Sequence, residues 1–325
     1  MMPENFTMNV NFYSTIFLLL VFHPLLSFAL KPYITWKSNR LISESNTVEI
    51  QFPNTTTKTK TKTTTKTKID LSFVIPAYNE QSRLPNMLQS TLAYTQSNPQ
   101  LTYEFCVVSD GSTDDTEAVV TKFYKENNIL NGRLIRLVKN RGKGAAIKTG
   151  MLQAKGANRL MVDADGATDI SCLKNMFFAI ETGKNDIAIG SRAHMAEEST
   201  AKRSPMRTLL MRGFHFFVNI LRIRGGVNAT IKDTQCGFKL FTASAATAIF
   251  SHLHLERWAF DLEVIAIANI KGLKMQEIQV VWEEIDGSKL DTGRFSLLIN
   301  AVTMLRDMAC LKICYVLHLW NCSDI

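Results

Sequence analysis

Asp163 and Asp165, separated by Ala164, close the apolar run Leu160-Met161-Val162 and are followed at once by Gly166. Two carboxylates at i and i+2, where a strand turns out of a sheet, can share one hard divalent cation. Mg²⁺ or Mn²⁺ takes oxygen ligands and completes its shell with substrate phosphate and water. The spacing therefore predicts a metal-bound diphosphate. Asp-Gly is also ordinary turn chemistry, so the reading depends on what stands beside the pair.

The elements that must position it begin beyond Ile69. Short β-rich runs, Leu71 to Pro76, Tyr103 to Ser109, Arg133 to Val138, Arg159 to Val162 and Asp186 to Gly190, alternate with helical stretches. That alternation predicts a doubly wound α/β domain, a mostly parallel sheet with helices on both faces. Ligands in such sheets sit at the carboxyl ends of strands, beside the switch in strand order. The first run ends in Pro76-Ala77-Tyr78-Asn79-Glu80 and the second in Ser109-Asp110-Gly111-Ser112-Thr113-Asp114-Asp115. Ser112 and Asp115 have the spacing of a capping box, which makes Ser112, Asp114 and Asp115 helix-start residues. Asp110 precedes the turn and is a natural acceptor for a base N–H. After the third run comes Asn140-Arg141-Gly142-Lys143-Gly144-Ala145-Ala146, a glycine-rich entry to a helix whose free N–H groups and Lys143 could face phosphate. It lacks the glycine spacing and the Lys-Ser/Thr pair of a Walker loop.

The chain has 325 residues and a net charge of +8. The basicity is concentrated in the N-terminal flank and in residues 192–224, without the spread of Lys and Arg among aromatics that a nucleic-acid binder shows. Anionic membrane or phosphate partners fit better. Six cysteines without a Cys-x-x-Cys pair argue against zinc and a disulfide framework, and for a reducing compartment. Residues 12–30 carry no charged side chain, a membrane-helix candidate whose rival is a cleaved signal peptide. Only Glu4 precedes it, whereas Lys31, Lys37 and Arg40 follow, which places the following chain in the cytosol. Four units are expected: a transmembrane anchor (1–30), a basic Thr/Lys-rich linker (31–68), the α/β domain (69–294) and a C-terminal membrane-associated helical segment (295–325). In the last, Arg306, Asp307 and Lys312 argue for a surface-lying helix pair rather than a second span.

Taken in order, Val74 to Glu80, Ser109 to Ser112, Asn140 to Gly144 and Asp163 to Gly166 resemble the GT-A (Rossmann-like) fold of family 2 glycosyltransferases, which use nucleotide-sugar donors. Gly190 to His194, Asp233 to Phe241, Arg257 to Glu263 and Gly287 to Leu290 are similar to the dolichyl-phosphate β-glucosyltransferases in particular. The resemblance spans residues 69 to about 320. Ser109 departs from it, standing where many members carry a second acid before Asp110.

The resemblance implies transfer of glucose from UDP-glucose to dolichyl phosphate with inversion. The product, dolichyl β-D-glucosyl phosphate, would serve lipid-linked oligosaccharide assembly and protein N-glycosylation at the endoplasmic reticulum membrane. It assigns Pro76, Tyr78, Glu80, Asp110, Lys143, Asp163 and Ala164 to the nucleotide sugar, and Asp163 and Asp165 to the metal. Asp165 and Asp233 become the catalytic carboxylates, Asp233 orienting or deprotonating the acceptor, with a plain loop carboxylate as its alternative. Arg192, Arg203 and Arg207 would bind the lipid phosphate, or form a solvated helix face with Lys202 and Arg212. Trp258, Asp261 and Glu263 would shape the sugar or acceptor pocket, Trp258 alternatively packing in the core. Met206 to Ile223 reads as an interfacial helix or a buried one. Two other functions remain open: a mannose-synthase-like or other polyprenyl-phosphate glycosyltransferase, and a non-catalytic membrane-bound nucleotide-sugar binder.

Overall fold

The computed structural model describes residues 24–42, 47–51, 68–182, 184–195, 231–285 and 294–322. The strands are β1 (Thr47–Gln51), β2 (Leu71–Ala77), β3 (Tyr103–Asp110), β4 (Gly132–Leu137), β5 (Asn158–Val162), β6 (Ile187–Ser191), β7 (Phe238–Thr242) and β8 (Met275–Gln279). They form one eight-stranded sheet in the order β1-β4-β3-β2-β5-β7-β6-β8. All run parallel except β1 and β7. The central strand β2 shows why: Leu71, Phe73, Val74 and Ile75 are all fully buried, so neither face of the strand meets water.

Helices cover both faces. Apolar side chains of α2 (Leu84–Gln96), α3 (Thr116–Glu126) and α5 (Leu173–Glu181) fill one side. The other side is filled from α4 (Lys143–Gln153), α6 (Ala243–Phe250), α7 (Phe260–Ile270) and α8 (Arg294–Val316). Tyr33 and Trp36 of α1 (Lys31–Ile42) pack against that second cluster.

The five predicted runs are β2 to β6, each within a single residue at either end. Three strands lie outside them. β7 runs antiparallel between β5 and β6, and its alternation is masked by Lys239, a fully buried lysine. β8 has the polar sequence MQEIQ at the sheet edge. β1 lies in the stretch expected to be linker, as does α1; Val48 and Ile50 alternate with polar residues, enough for an edge strand paired with β4. The capping box does not form. Ser112 Oγ accepts the Asn79 N–H at 3.1 Å, α3 starts later, and Asp114 takes the Thr116 N–H at 3.0 Å.

The C-terminal segment is one continuous helix, α8, not a pair. Arg306 and Asp307 are tolerated because they neutralise each other at 2.9 and 2.6 Å, while Cys310 and Cys314 on the buried side enter the core. All six cysteines are free and buried. Among the described residues no helix is long and apolar enough to cross a membrane. Most of the 12–30 segment lies outside them. Its last turns, residues 24–29, are helical and continue into α1, the Leu30 N–H reaching the Leu26 carbonyl at 2.8 Å. Residues 196–230, with Lys202, Arg203, Arg207, Arg212 and the predicted helix at 206–223, also lie outside the described residues, as do 52–67 and 286–293.

Candidate active site

The strand order switches direction at β2, which has β3 on one side and β5 on the other. β2 pairs with β5 only through Val74–Met161, yet follows β3 as far as Ala77–Ser109, so the carboxyl ends of β2 and β5 part. Such a crevice is where ligands of doubly wound sheets bind. Pro76, which has no N–H to offer, falls past the last β5 pairing.

Three loops are tied together at this opening. Asn79 adopts the left-handed region (φ 55°), and its Oδ1 accepts the Thr113 N–H at 2.8 Å. The Glu80 N–H reaches Thr116 Oγ1 at 2.7 Å. Asp110, buried, takes the N–H groups of Arg141 and Gly142, each at 2.7 Å, one per carboxylate oxygen. Burial pushes its carboxyl up, against these two N–H groups. Asp110 is thus first a clasp for the glycine-rich loop. Gly142 has φ +110°, and a Cβ there would stand 2.5 Å from the Glu256 carbonyl, so only glycine fits. Tyr78 remains partly exposed beside the clasp.

The acidic pair leaves β5 into this crevice. Lys143, the first residue of α4, brings its Nζ to 2.6 Å from Asp163 Oδ1, a close ion pair. Burial pulls the Lys143 ammonium down, but Asp163 and Asp261 outweigh it and keep the group above its ordinary value. Gly237 backs Asp163: a Cβ at that position would lie within 2.6 Å of Oδ1, Oδ2 and Cγ of the carboxylate. Asp165 Oδ1 accepts the Ala167 N–H at 3.0 Å. Its Oδ2 lies 3.9 Å from Arg83, whose guanidinium is held by Glu80 at 2.8 and 2.6 Å. The Trp258 ring, 41% exposed, is 5.9 Å from Lys143 Nζ and forms a wall of the site rather than core.

Arg192 and Asp233 form a fork-to-fork pair at 2.7 and 2.9 Å, with the Arg192 N–H adding a third contact at 3.0 Å. Burial acts to raise the Asp233 carboxyl, but Arg192 prevails and holds it below the usual carboxylate value. A carboxylate so stabilised is a weak base; its geometry fits orienting Arg192, which also lies 5.5 Å from the Trp282 ring. Asp261 is buried and paired with Lys239 at 2.5 Å, and Lys239 also donates to the Cys236 carbonyl at 2.6 Å. Burial pushes the Asp261 carboxyl up against Lys239 and Lys143.

Glu263 is not in the pocket. Two residues along a helix is a rotation of roughly 200°, so when Asp261 faces the site Glu263 faces the opposite way. It is fully buried and occupied by His254 and Leu255 of the preceding loop and by Tyr315 of α8.

Comparison with known proteins fixes the class. The family model for glycosyl transferase family 2 matches residues 72–250. The chain belongs to glycosyltransferase family 2. Curated relatives are named dolichyl-phosphate beta-glucosyltransferase: one from Drosophila melanogaster is 44% identical over 79% of this chain and 78% of its own length. Another from Dictyostelium discoideum is 40% identical over 94% and 92%, and one from Homo sapiens 48% identical over 68% and 69%. Among solved structures, glucosyl-3-phosphoglycerate synthase from Mycobacterium tuberculosis is 16% identical with a TM-score of 0.48, covering 73% of this chain and 80% of that one.

In this glycosyltransferase the sequence-derived residues Glu80, Asp110, Lys143, Asp163, Asp165, Arg192, Asp233, Trp258 and Asp261 cluster around the parted ends of β2 and β5. Arg83, Gly237, Lys239 and Trp282 join them unforeseen. Arg83 was legible as the residue one helical turn after Glu80. Gly237 lies within the Asp233 to Phe241 stretch, but nothing local gives its role, because its requirement comes from a carboxylate more than seventy residues away.

Proposed function

We propose that the chain transfers glucose from UDP-glucose to dolichyl phosphate with inversion, on a GT-A framework facing the cytosol at the endoplasmic reticulum membrane. The observation that carries this reading is the Lys143, Asp163 and Asp165 constellation at the sheet's switch point, in a chain whose relatives bear that activity in their names.

The acceptor needs little activation. A phosphate monoester with a second pKa near ~6 is largely dianionic at neutral pH, so its oxygen can attack the anomeric carbon without a strong base. As that bond forms, the bond from carbon to the UDP phosphate oxygen breaks on the opposite face, and the electron pair leaves with UDP. Lys143, its own side chain mostly buried, stands where it can take up the developing charge. Asp163 and Asp165 would hold Mg²⁺ or Mn²⁺. The two carboxylates stand together at the mouth of the crevice, and the site's named carboxylates outnumber its cations. Bound there, the ion would neutralise diphosphate charge. Among the described residues no group of three His, Cys, Asp or Glu could hold a metal, so the donor phosphates would supply the remaining ligands.

Arg192 faces the acceptor side with Asp233 fixing its plane, and Arg203 and Arg207 would complete the lipid-phosphate site. Residues 12–30 anchor the chain, continuous with exposed Leu25, Leu26 and Phe28. At the other end of the chain, Val316, Leu317 and Leu319 are exposed as well and lie at the same membrane.

The test is incubation of membranes containing the protein with dolichyl phosphate, divalent metal and labelled UDP-glucose or GDP-mannose in parallel, beside an Asp165→Ala control. Glucolipid from UDP-glucose alone, lost in the control, supports the reading. Transfer from GDP-mannose makes it a mannose synthase. UDP-glucose binding without transfer leaves a non-catalytic binder.

A further inference from the structure

Glu263 has every lone-pair direction engaged by protein. Oε2 accepts the His254 and Leu255 N–H groups at 2.9 and 2.6 Å, while Oε1 meets His254 Nδ1 at 2.7 Å and the Tyr315 hydroxyl at 3.1 Å. What it holds is the segment 254–257, and that segment is the back support of the glycine-rich loop. The Glu256 carbonyl accepts the Ala145 N–H at 3.1 Å, in the first turn of α4, and blocks any side chain at Gly142. The Glu256 carboxylate pairs with Arg141, whose own N–H is clasped by Asp110. From the other direction, His254 stacks on Trp320 (4.4 Å, 9°) and meets Trp36 of α1 edge-on at 4.7 Å.

We propose that Glu263 and Tyr315 are positioning residues for the donor. Through the 254–257 segment they set where Arg141, Gly142 and Lys143 stand, so that α8 and α1, behind the sheet, determine how well the front of the site receives a nucleoside diphosphate. This rests on the reading of the donor as a UDP-sugar. Neither residue touches substrate. Both act through the hydrogen bonds that tie residues 254–256 to Glu263 on one side and to the start of α4 on the other, and a displacement of about 1 Å matters when a lysine must meet a phosphate.

The experiment is calorimetric titration of the full-length protein with UDP in the presence of Mg²⁺, for wild type, Tyr315→Phe, Glu263→Gln and the control Tyr124→Phe. Tyr124 likewise buries its hydroxyl, 3.3 Å from the Arg133 carbonyl, but on the opposite face of the sheet. Removing a hydrogen bond to a carboxylate in Tyr315→Phe should raise the Kd for UDP about tenfold, and Glu263→Gln by at least as much. kcat at saturating donor should fall as well, because Lys143 also faces the charge that develops on the departing UDP. Tyr124→Phe should keep the wild-type Kd. If Tyr315→Phe binds UDP like wild type and loses only thermal stability, as the control does, the inference is overturned. Tyr315→Phe leaves no cavity, so it decides the matter even if Glu263→Gln does not fold. Failure of the wild type to bind UDP would sink the donor reading and the inference with it, a result distinct from an unchanged Tyr315→Phe.

Discussion

Gly237→Ala is the smallest change that should disable the site while sparing the fold. Gly237 has no positive φ, so alanine costs it no backbone strain. Its Cβ, however, would stand within 2.6 Å of all three atoms of the Asp163 carboxylate, and ordinary contact needs 3.4 Å or more. The carboxylate must therefore retreat by on the order of 1 Å, a displacement that can cost about 10²-fold in rate when the group holds reacting charge in place. The fold can absorb this because Asp163 is the end of a short side chain at the mouth of the crevice; overpacking of this kind costs about 1–3 kcal/mol. The assay is kcat/KM against metal concentration, with thermal melting alongside. A loss near 10²-fold, partly restored by excess metal, with a modest fall in Tm, is expected. Activity within about threefold of wild type at unchanged metal dependence would refute the claim that the position of Asp163 matters.

Lys239→Met should leave the Asp261 carboxylate, 5% exposed, without its partner and cost about 3–5 kcal/mol in urea unfolding. Pairing it with Asp261→Leu should recover most of that stability without recovering activity. A second expectation concerns pH. Although burial opposes it, Arg192 holds the Asp233 carboxyl below 3.8, so the pair contributes fully above that value and is lost only as pH falls further. The acid limb of kcat/KM should then come from the acceptor phosphate, near pH ~6, and Asp233→Asn should lower the rate without moving it. A limb that shifts in Asp233→Asn would restore Asp233 as a general base. Topology is testable by glycosylation: of the sequons at Asn5, Asn54, Asn228 and Asn321, only Asn5 should carry a glycan. A glycan on Asn321 would put the domain in the lumen.

What the sequence reveals and what it hides follow one physical division. Strands buried on both faces, such as β2, announce themselves as apolar runs, and the polar residues at their ends mark the site before any coordinates are known. β7 is hidden because its buried Lys239 looks like a surface residue until Asp261 is found beside it. β8 and β1 are edge strands with few apolar residues between polar ones, so their pattern is diluted. Asp261 and Glu263 stand two residues apart, and the resemblance assigns both to one pocket. The helical rotation between them sends one to the site and the other to the support behind it. Residues that meet through long-range packing, as Gly237 meets Asp163, leave no local trace.

The most direct measurement is a single turnover with UDP-glucose labelled at the anomeric carbon and dolichyl phosphate, followed by NMR of the lipid product. One β-linked glucosyl phosphate formed per UDP released is the predicted result, as direct displacement by the acceptor phosphate requires. An α-linked product, or UDP and free glucose with no lipid product, would contradict the account.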